Sequence, residues 1–297
     1  MKIYSHHVVF RVAIMLLMQV VTTTQEKSQQ QMPAASSLVT SSRPLAEASV
    51  RLQETYGKVV TYEEPVLTWR GELEGEPNRD PEGKWALFPR KQAFFMPAEI
   101  GIGTDLDNVL ENTVAAYHQQ TSGTRFQVLS SKLGYHIVPV QVHDENGRSV
   151  STTSVLDHIV TVPAEARTAM RHLDALGAAI SSTGSIRVVI SAVPYIRPGG
   201  FDNAFRAQPE VFQWGVHSVV ARDALVDLFN QSATTFSWHL KCQASAQPSD
   251  RFCVLNVGML EVVVTNSQGK PVTDSQGKPV KQVLKFDRCR DCPPEIR

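Results

Sequence analysis

The fold is read from AEARTAMRHLDALGAAISSTGSIRVVISAVP, residues Ala164–Pro194. Ala166, Ala169, Met170, Leu173, Leu176 and Ile180 recur at the i, i+3, i+4, i+7 spacing of one helical face. Glu165, Arg167, Arg171, His172 and Asp174 fall largely on the opposite side. Pro163 suits the first turn of this helix, where a missing N–H has no intrahelical partner to lose. Ser181-Ser182-Thr183-Gly184 ends it, and Ile186, Val188, Val189 and Ile190 follow as a β-rich run closed by Pro194. Upstream, Ile159-Val160-Thr161-Val162 reads as a strand leading into the helix. The unit is strand, helix, strand.

The same pattern recurs along the chain. One copy starts at Pro44, with Leu45, Ala48, Leu52 and Tyr56 as its stripe, Gly57 as its stop and Val59-Val60-Thr61-Tyr62 as its strand. Another starts at Asp105 and runs through Leu106, Val109, Leu110, Val114 and Tyr117 to Phe126-Gln127-Val128-Leu129. The last starts near Val220, with Ala221, Ala224, Leu225, Leu228 and Phe229, then Phe236, Trp238 and Leu240 in alternation. Starts at 44, 105, 164 and 220 are near-regular, and a recurring supersecondary unit implies a fold that stacks or pairs its copies. The fold class expected is α+β, built from repeated β-α-β units packed as two small α/β sandwich domains.

With 297 residues and 42% hydrophobic content, the chain can bury one large core or two modest ones. Basic and acidic residues balance at 29 each. Removing residues 1–25 takes Lys2 and Arg11 with it and leaves 27 basic residues against the same 29 acidic ones. That balance lacks the basic face that phosphate contacts need, so nucleic acid is not an expected partner.

Lys2 and Arg11 precede the apolar run Val12–Val21, and Thr22-Thr23-Thr24 follow. A basic start, a short apolar core and small residues describe a secretory signal peptide over 1–25. The run is shorter than the roughly 20 apolar residues a membrane span requires, so no stable span is expected after its removal. Residues 26–42 read as a flexible linker, 43–150 and 151–287 as two domains of two helix-strand units each, and 288–297 as a Cys-containing tail. Gly71–Pro97 reads as a long surface loop with Trp85, Leu87 and Phe88 as its foothold. Asp144-Glu145-Asn146-Gly147 reads as a hairpin turn, because Asn-Gly accepts positive φ. Phe201, Phe205, Phe212 and Trp214 read as core closure. Ser-Gln-Gly-Lys-Pro-Val occurs twice, at 267–272 and 275–280, as a duplicated hairpin turn. Its Ser-x-x-Lys spacing is coincidental, since acylating chemistry needs that pair on a helix.

Four cysteines are present, Cys242, Cys253, Cys289 and Cys292, and in an exported protein disulfides are the default. Cys242 and Cys253 flank a short polar segment, which makes a bridge across a hairpin geometrically natural. Cys289 and Cys292 form a C-x-x-C close to Pro293-Pro294, where a tail-stapling disulfide is favoured over zinc or redox chemistry. Three pairings remain open.

No catalytic motif, metal-ligand spacing or cofactor fingerprint is present, so no catalytic, metal or cofactor residue is assigned. Asp105 and Asp107 read as helix caps. The expected function is an exported, non-catalytic envelope protein, periplasmic or secreted, acting as a protein–protein or ligand-binding module with another envelope protein as its expected partner. Two alternatives differ in class. A cell-envelope hydrolase would bring His136, His143, His217 or His239 together with Asp or Glu in a cleft. A structural subunit of an envelope assembly would form concentration-dependent oligomers.

Arg43-Pro44-Leu45-Ala46-Glu47-Ala48, with Leu52, Tyr56-Gly57 and Val59-Val60-Thr61-Tyr62, resembles the short N-terminal module of secretins and TonB-dependent receptors. Ala221–Leu228 with Phe236–Leu240 is similar more loosely. The resemblance implies a small β-α-β envelope module used for protein–protein contact. No β-barrel or secretin core follows it, so neither receptor nor pore function transfers, and no functional residue does.

Overall fold

A computed structural model of the chain describes residues 36–75, 87–97, 105–184, 186–192, 211–232, 234–243, 251–264, 266 and 272–283. The expected signal peptide, Trp85, Phe201, Phe205, most of the first Ser-Gln-Gly-Lys-Pro-Val copy, and Cys289 and Cys292 lie outside these residues.

The first half contains β1 (Ser37–Ser41), α1 (Pro44–Tyr56), β2 (Val59–Glu63), β3 (Leu73–Gly75), β4 (Leu87–Pro89), β5 (Gln92–Met96), α2 (Leu106–Gln120), β6 (Arg125–Ser130), β7 (Gly134–His143) and β8 (Ser149–Ser151). The second contains β9 (Ile159–Thr168), α3 (Ala169–Thr183), β10 (Arg187–Ala192), β11 (Val211–Val220), α4 (Ala221–Asn230), β12 (Phe236–Gln243) and β13 (Phe252–Met259). A hairpin of β14 (Glu261–Val263) and β15 (Lys281–Val283) follows. The chain is α+β and built from β-α-β units.

Both halves share one seven-stranded sheet of order β10-β13-β12-β2-β7-β6, with β8 paired to the end of β7. In the first half β2 runs parallel to β7, which is antiparallel to β6. In the second, β10 runs parallel to β13, which is antiparallel to β12. A two-stranded antiparallel ladder accompanies each half, β1 with β5 and β9 with β11. The near-regular spacing of four helices is therefore a two-helix unit present twice. The halves meet where β12 pairs parallel with β2.

Keeping the strand order while reversing the strand direction turns the sheet over, so the two helix pairs lie on opposite faces. Side-chain alternation on β2 records this. Val60 and Tyr62 belong to the core beneath α1 and α2, with Leu45, Leu52, Leu110 and Ile137. Val59 belongs to the core of α3 and α4, with Leu173, Leu176, Leu225, Phe229, Trp238 and Leu240. Accordingly β2 is buried along its whole length.

Local signals set the helix ends. Pro44 occupies the first turn of α1, and Gly57 closes it in the left-handed region, its N–H donating to the Gln53 carbonyl at 3.0 Å. Asp105 caps α2 by accepting from the Asp107 N–H, as its position predicts. The Asn146-Gly147 turn forms, with Gly147 at φ 76° and Asp144 Oδ1 accepting from the Asn146 and Arg148 N–H groups. In the tail hairpin, Gly277 turns at φ 76°.

Three expectations are corrected. First, α3 begins at Ala169, capped by the Thr168 hydroxyl, rather than near Pro163. Pro163 lies inside β9, where Pro163-Ala164 form a bulge opposite Gly215 of β11. A Cβ on Gly215 would stand 2.5 Å from Ala164 Cα, so the bulge needs glycine there. Second, the supposed flexible linker contributes β1, whose Val39 is fully buried against its distant partner β5. Third, the supposed loop of 71–97 carries β3, β4 and β5. Leu87 anchors it to Leu67, Leu73 and Val142, whereas Phe88 is exposed.

Gly134 opens β7 at φ 156°, where an added Cβ would lie 2.4 Å from the Val59 carbonyl oxygen across the ladder. Gly134→Ala should therefore destabilise the fold by about 1–3 kcal/mol, the usual cost of strained backbone. Urea titration reads this directly.

Candidate functional site

The seam between the halves is polar where a core would ordinarily be apolar. Glu63, the last residue of β2, and Glu64 just after it point to opposite faces by alternation. On one face Glu63 is fully buried and accepts from Arg222 at both carboxylate oxygens, 2.7 Å from Nε and 2.6 Å from Nη2. Arg222 Nη1 donates to Asp157 Oδ1 at 2.7 Å. Asp157 also accepts from the Ser154 N–H, completing a capping box in the short helical turn between the halves. Arg222 sits in the first turn of α4, where a cation opposes the helix dipole. Its two carboxylate partners offset that cost and tie linker, β2 and α4 together.

On the other face Glu64 holds Arg43 Nε, at 2.9 and 3.0 Å from its two oxygens, and accepts from the Cys242 N–H at 2.7 Å. Arg43 Nη2 donates to the Cys242 carbonyl at 3.3 Å. Burial raises the Glu64 pKa despite Arg43. Of the open cysteine pairings, Cys242 is joined to Cys253, its direct cross-strand neighbour. A disulfide persists in oxidising compartments outside the cytosol, which points to a non-cytoplasmic location. Among the described residues no helix is long and apolar enough to cross a membrane.

The four histidines weighed for catalysis do not converge. His136 is buried between Thr61 and Ser131, 2.8 Å from each hydroxyl, and stacks on Trp238. Burial, with Arg222 nearby, lowers its pKa to about 3. His239 reaches the Ser49 hydroxyl at 3.2 Å, and burial, with Lys241 nearby, lowers its pKa to about 4. His143 meets Glu72 at 3.0 Å beside Trp69, at the far end of β7. His217 lies on β11, exposed. Among the described residues, no group of three or more His, Cys, Asp or Glu side chains is placed to hold a metal.

Two openings border the seam. One is a cavity of about 30 Å³, room for one water, lined by Arg43, Tyr62, Glu64, Glu72 and Tyr117 among others. The buried Glu72 Oε2 has no hydrogen-bond partner among the described residues. Burial holds Tyr62 well above the ordinary tyrosine pKa and Tyr117 at about 12, so neither phenol ionises near neutrality. The other opening is a groove of about 450 Å³ between the start of α1 and β12. Ser41, Ser42, Arg43, Ala46, Glu47, Val50, Arg51, His239 and Lys241 line it.

The residues that build this seam carry no motif. Glu63-Glu64-Pro65 after an apolar strand reads as a solvated strand end, and Arg222 as an exposed first-turn residue. Only the pairing of β12 with β2 brings them together. Comparison with known proteins finds no matching family model, no matching curated protein and no matching solved structure.

Proposed function

We propose that the chain is an exported, non-catalytic envelope protein that binds an acidic, extended segment of another envelope protein in the groove between α1 and β12. The observation that carries this reading is the lining: Arg43, Arg51 and Lys241 against Glu47 as the single carboxylate. Arg43 is already paired with Glu64, so among the described residues Arg51 and Lys241 supply the positive charge not held in an ion pair. Val50 offers an exposed apolar contact on the same wall. His239 is neutral at physiological pH and engaged with Ser49, which suits a wall better than an acid–base catalyst. The β-α-β architecture fits the resemblance to an envelope contact module.

The hydrolase alternative rests on His143 and Glu72, the one place among the described residues where one of the four histidines meets a carboxylate. Neither residue lines the groove, and the pair joins the short helical turn Arg70–Glu72 to β7, a structural use.

The test places a photo-crosslinking residue at Val50 in the full chain, expressed in its native host. A discrete adduct is expected, and Arg51→Glu with Lys241→Glu should lower its yield at least tenfold by opposing the acidic segment. An adduct indifferent to both charge reversals, or none at all, overturns the groove reading.

A further inference from the structure

The molecule ends in the same two strand edges that join at its centre. β2 and β10 are equivalent, each following the first helix of its half and pairing parallel with a hairpin strand. β6 and β12 are equivalent too, each lying antiparallel on the far side of that strand. The internal seam joins β12 to β2. Among the described residues β10 pairs only with β13 and β6 only with β7, which leaves one edge of each type outermost.

We propose that a second copy of this chain docks on these edges head to tail, with β6 of one molecule running parallel to β10 of the next and continuing the sheet. The partner is chosen by the seam itself, which shows these strand types joining in this direction. Unpaired outer edges are templates for such addition. Register follows from the equivalence. Val60 pairs with Tyr135 as Val188 pairs with Cys253, so Ala192 stands where Glu64 does, and Ser130 where Cys242 does. At the seam the Glu64 N–H donates to the Leu240 carbonyl at 2.9 Å. Ala192 thus presents its N–H outward, and Val128, the counterpart of Leu240, presents its carbonyl. Exposed Arg187, Val189 and Ser191 flank the free β10 edge.

The outer joint lacks the charge lock of the seam. Ser191 and Ala192 occupy the places of Glu63 and Glu64, so neither arginine clamp can form there. Association is therefore weak and concentration-dependent. Because the joint is heterologous, it extends as an open chain instead of stopping at a dimer.

Sedimentation velocity on the purified exported protein, from micromolar to millimolar, tests this. The weight-average mass should rise past two copies. Ala192→Pro and Val128→Pro each remove one outward N–H from a different edge, and each alone should stay monomeric. An equimolar mixture retains one intact edge per molecule and should form a two-copy species and nothing larger. Wild type remaining monomeric throughout overturns the proposal, as does assembly of either proline variant alone or a mixture that stays monomeric. Should a proline variant unfold, amide exchange in the wild type decides. Residues 128–130 and 190–192 must exchange more slowly as concentration rises, and unchanged exchange there overturns the proposal.

Discussion

Replacing Glu63 by alanine should cost about 3–5 kcal/mol of folding free energy, the range for stripping one partner from a buried ion pair. Arg222 would then keep its charge inside the protein, with Asp157 as its remaining anionic partner at the edge of the site. Desolvation of both ions is severe here, since the Glu63 side chain is fully buried and that of Arg222 is 7% exposed. Bidentate geometry and the Asp157 contact offset it. Replacing both members, Glu63→Leu with Arg222→Met, should recover much of the loss, because no unpaired charge is left. Urea unfolding of the two single variants and the double one measures this as a cycle. Single losses below about 1 kcal/mol would show that the pair is a bystander of the seam rather than its lock.

Acid should destabilise the protein well before most of its carboxylates are protonated. His136 and His239 are held at about 3 and about 4 in the folded state, against an ordinary value of 6.5. Their folded pKa values are depressed, so their contribution is complete above the unfolded pKa and is lost as pH falls below it. The unfolded chain binds the extra protons, and each ring removes about 1.4 kcal/mol per pH unit. Together they remove on the order of 6 kcal/mol between about pH 6.5 and pH 4, a large share of a typical domain's stability. Glu64 works in the opposite direction. Its raised pKa lets the folded state take up a proton before the unfolded chain does, which softens the lower part of the window. Unfolding free energy measured from pH 7 to pH 4 should fall steeply. His136→Gln with His239→Gln should flatten that slope, and a double variant with the wild-type slope would assign the acid sensitivity elsewhere.

Both predictions fall on the seam, and the seam is where reading the sequence succeeded least. Helices announce themselves locally: the stripe of Leu173, Leu176 and Ile180 is fully buried, as is that of Ala221, Ala224 and Leu225. Phe236, Trp238 and Leu240 alternate in the sequence and line the core together. The Cys242–Cys253 bridge was legible because the two residues stand opposite each other in one hairpin. By contrast β1 carries little apolar content, and its partner β5 lies about fifty residues away, so it read as a tether. Pro163 reads locally as a helix start because nothing near it reports that β9 continues past it along β11.

By itself, the sequence determined the helices of both halves and the strands that follow them, because helical periodicity, capping residues and turn chemistry act within a few residues of each other. It also made a Cys242–Cys253 bridge geometrically natural, through a hairpin short enough to read, but left the choice among three pairings to the structure. Tertiary structure alone decided that the halves share a sheet with helices on opposite faces, and that Glu63 and Glu64 are buried clamps rather than a solvated strand end. It alone formed the groove beside His239 and left β6 and β10 outermost. The physical reason is the same for each. A parallel pairing between β12 and β2 joins residues more than 170 positions apart, such as His239 with Tyr62, and burial of a charge is settled by that distant partner.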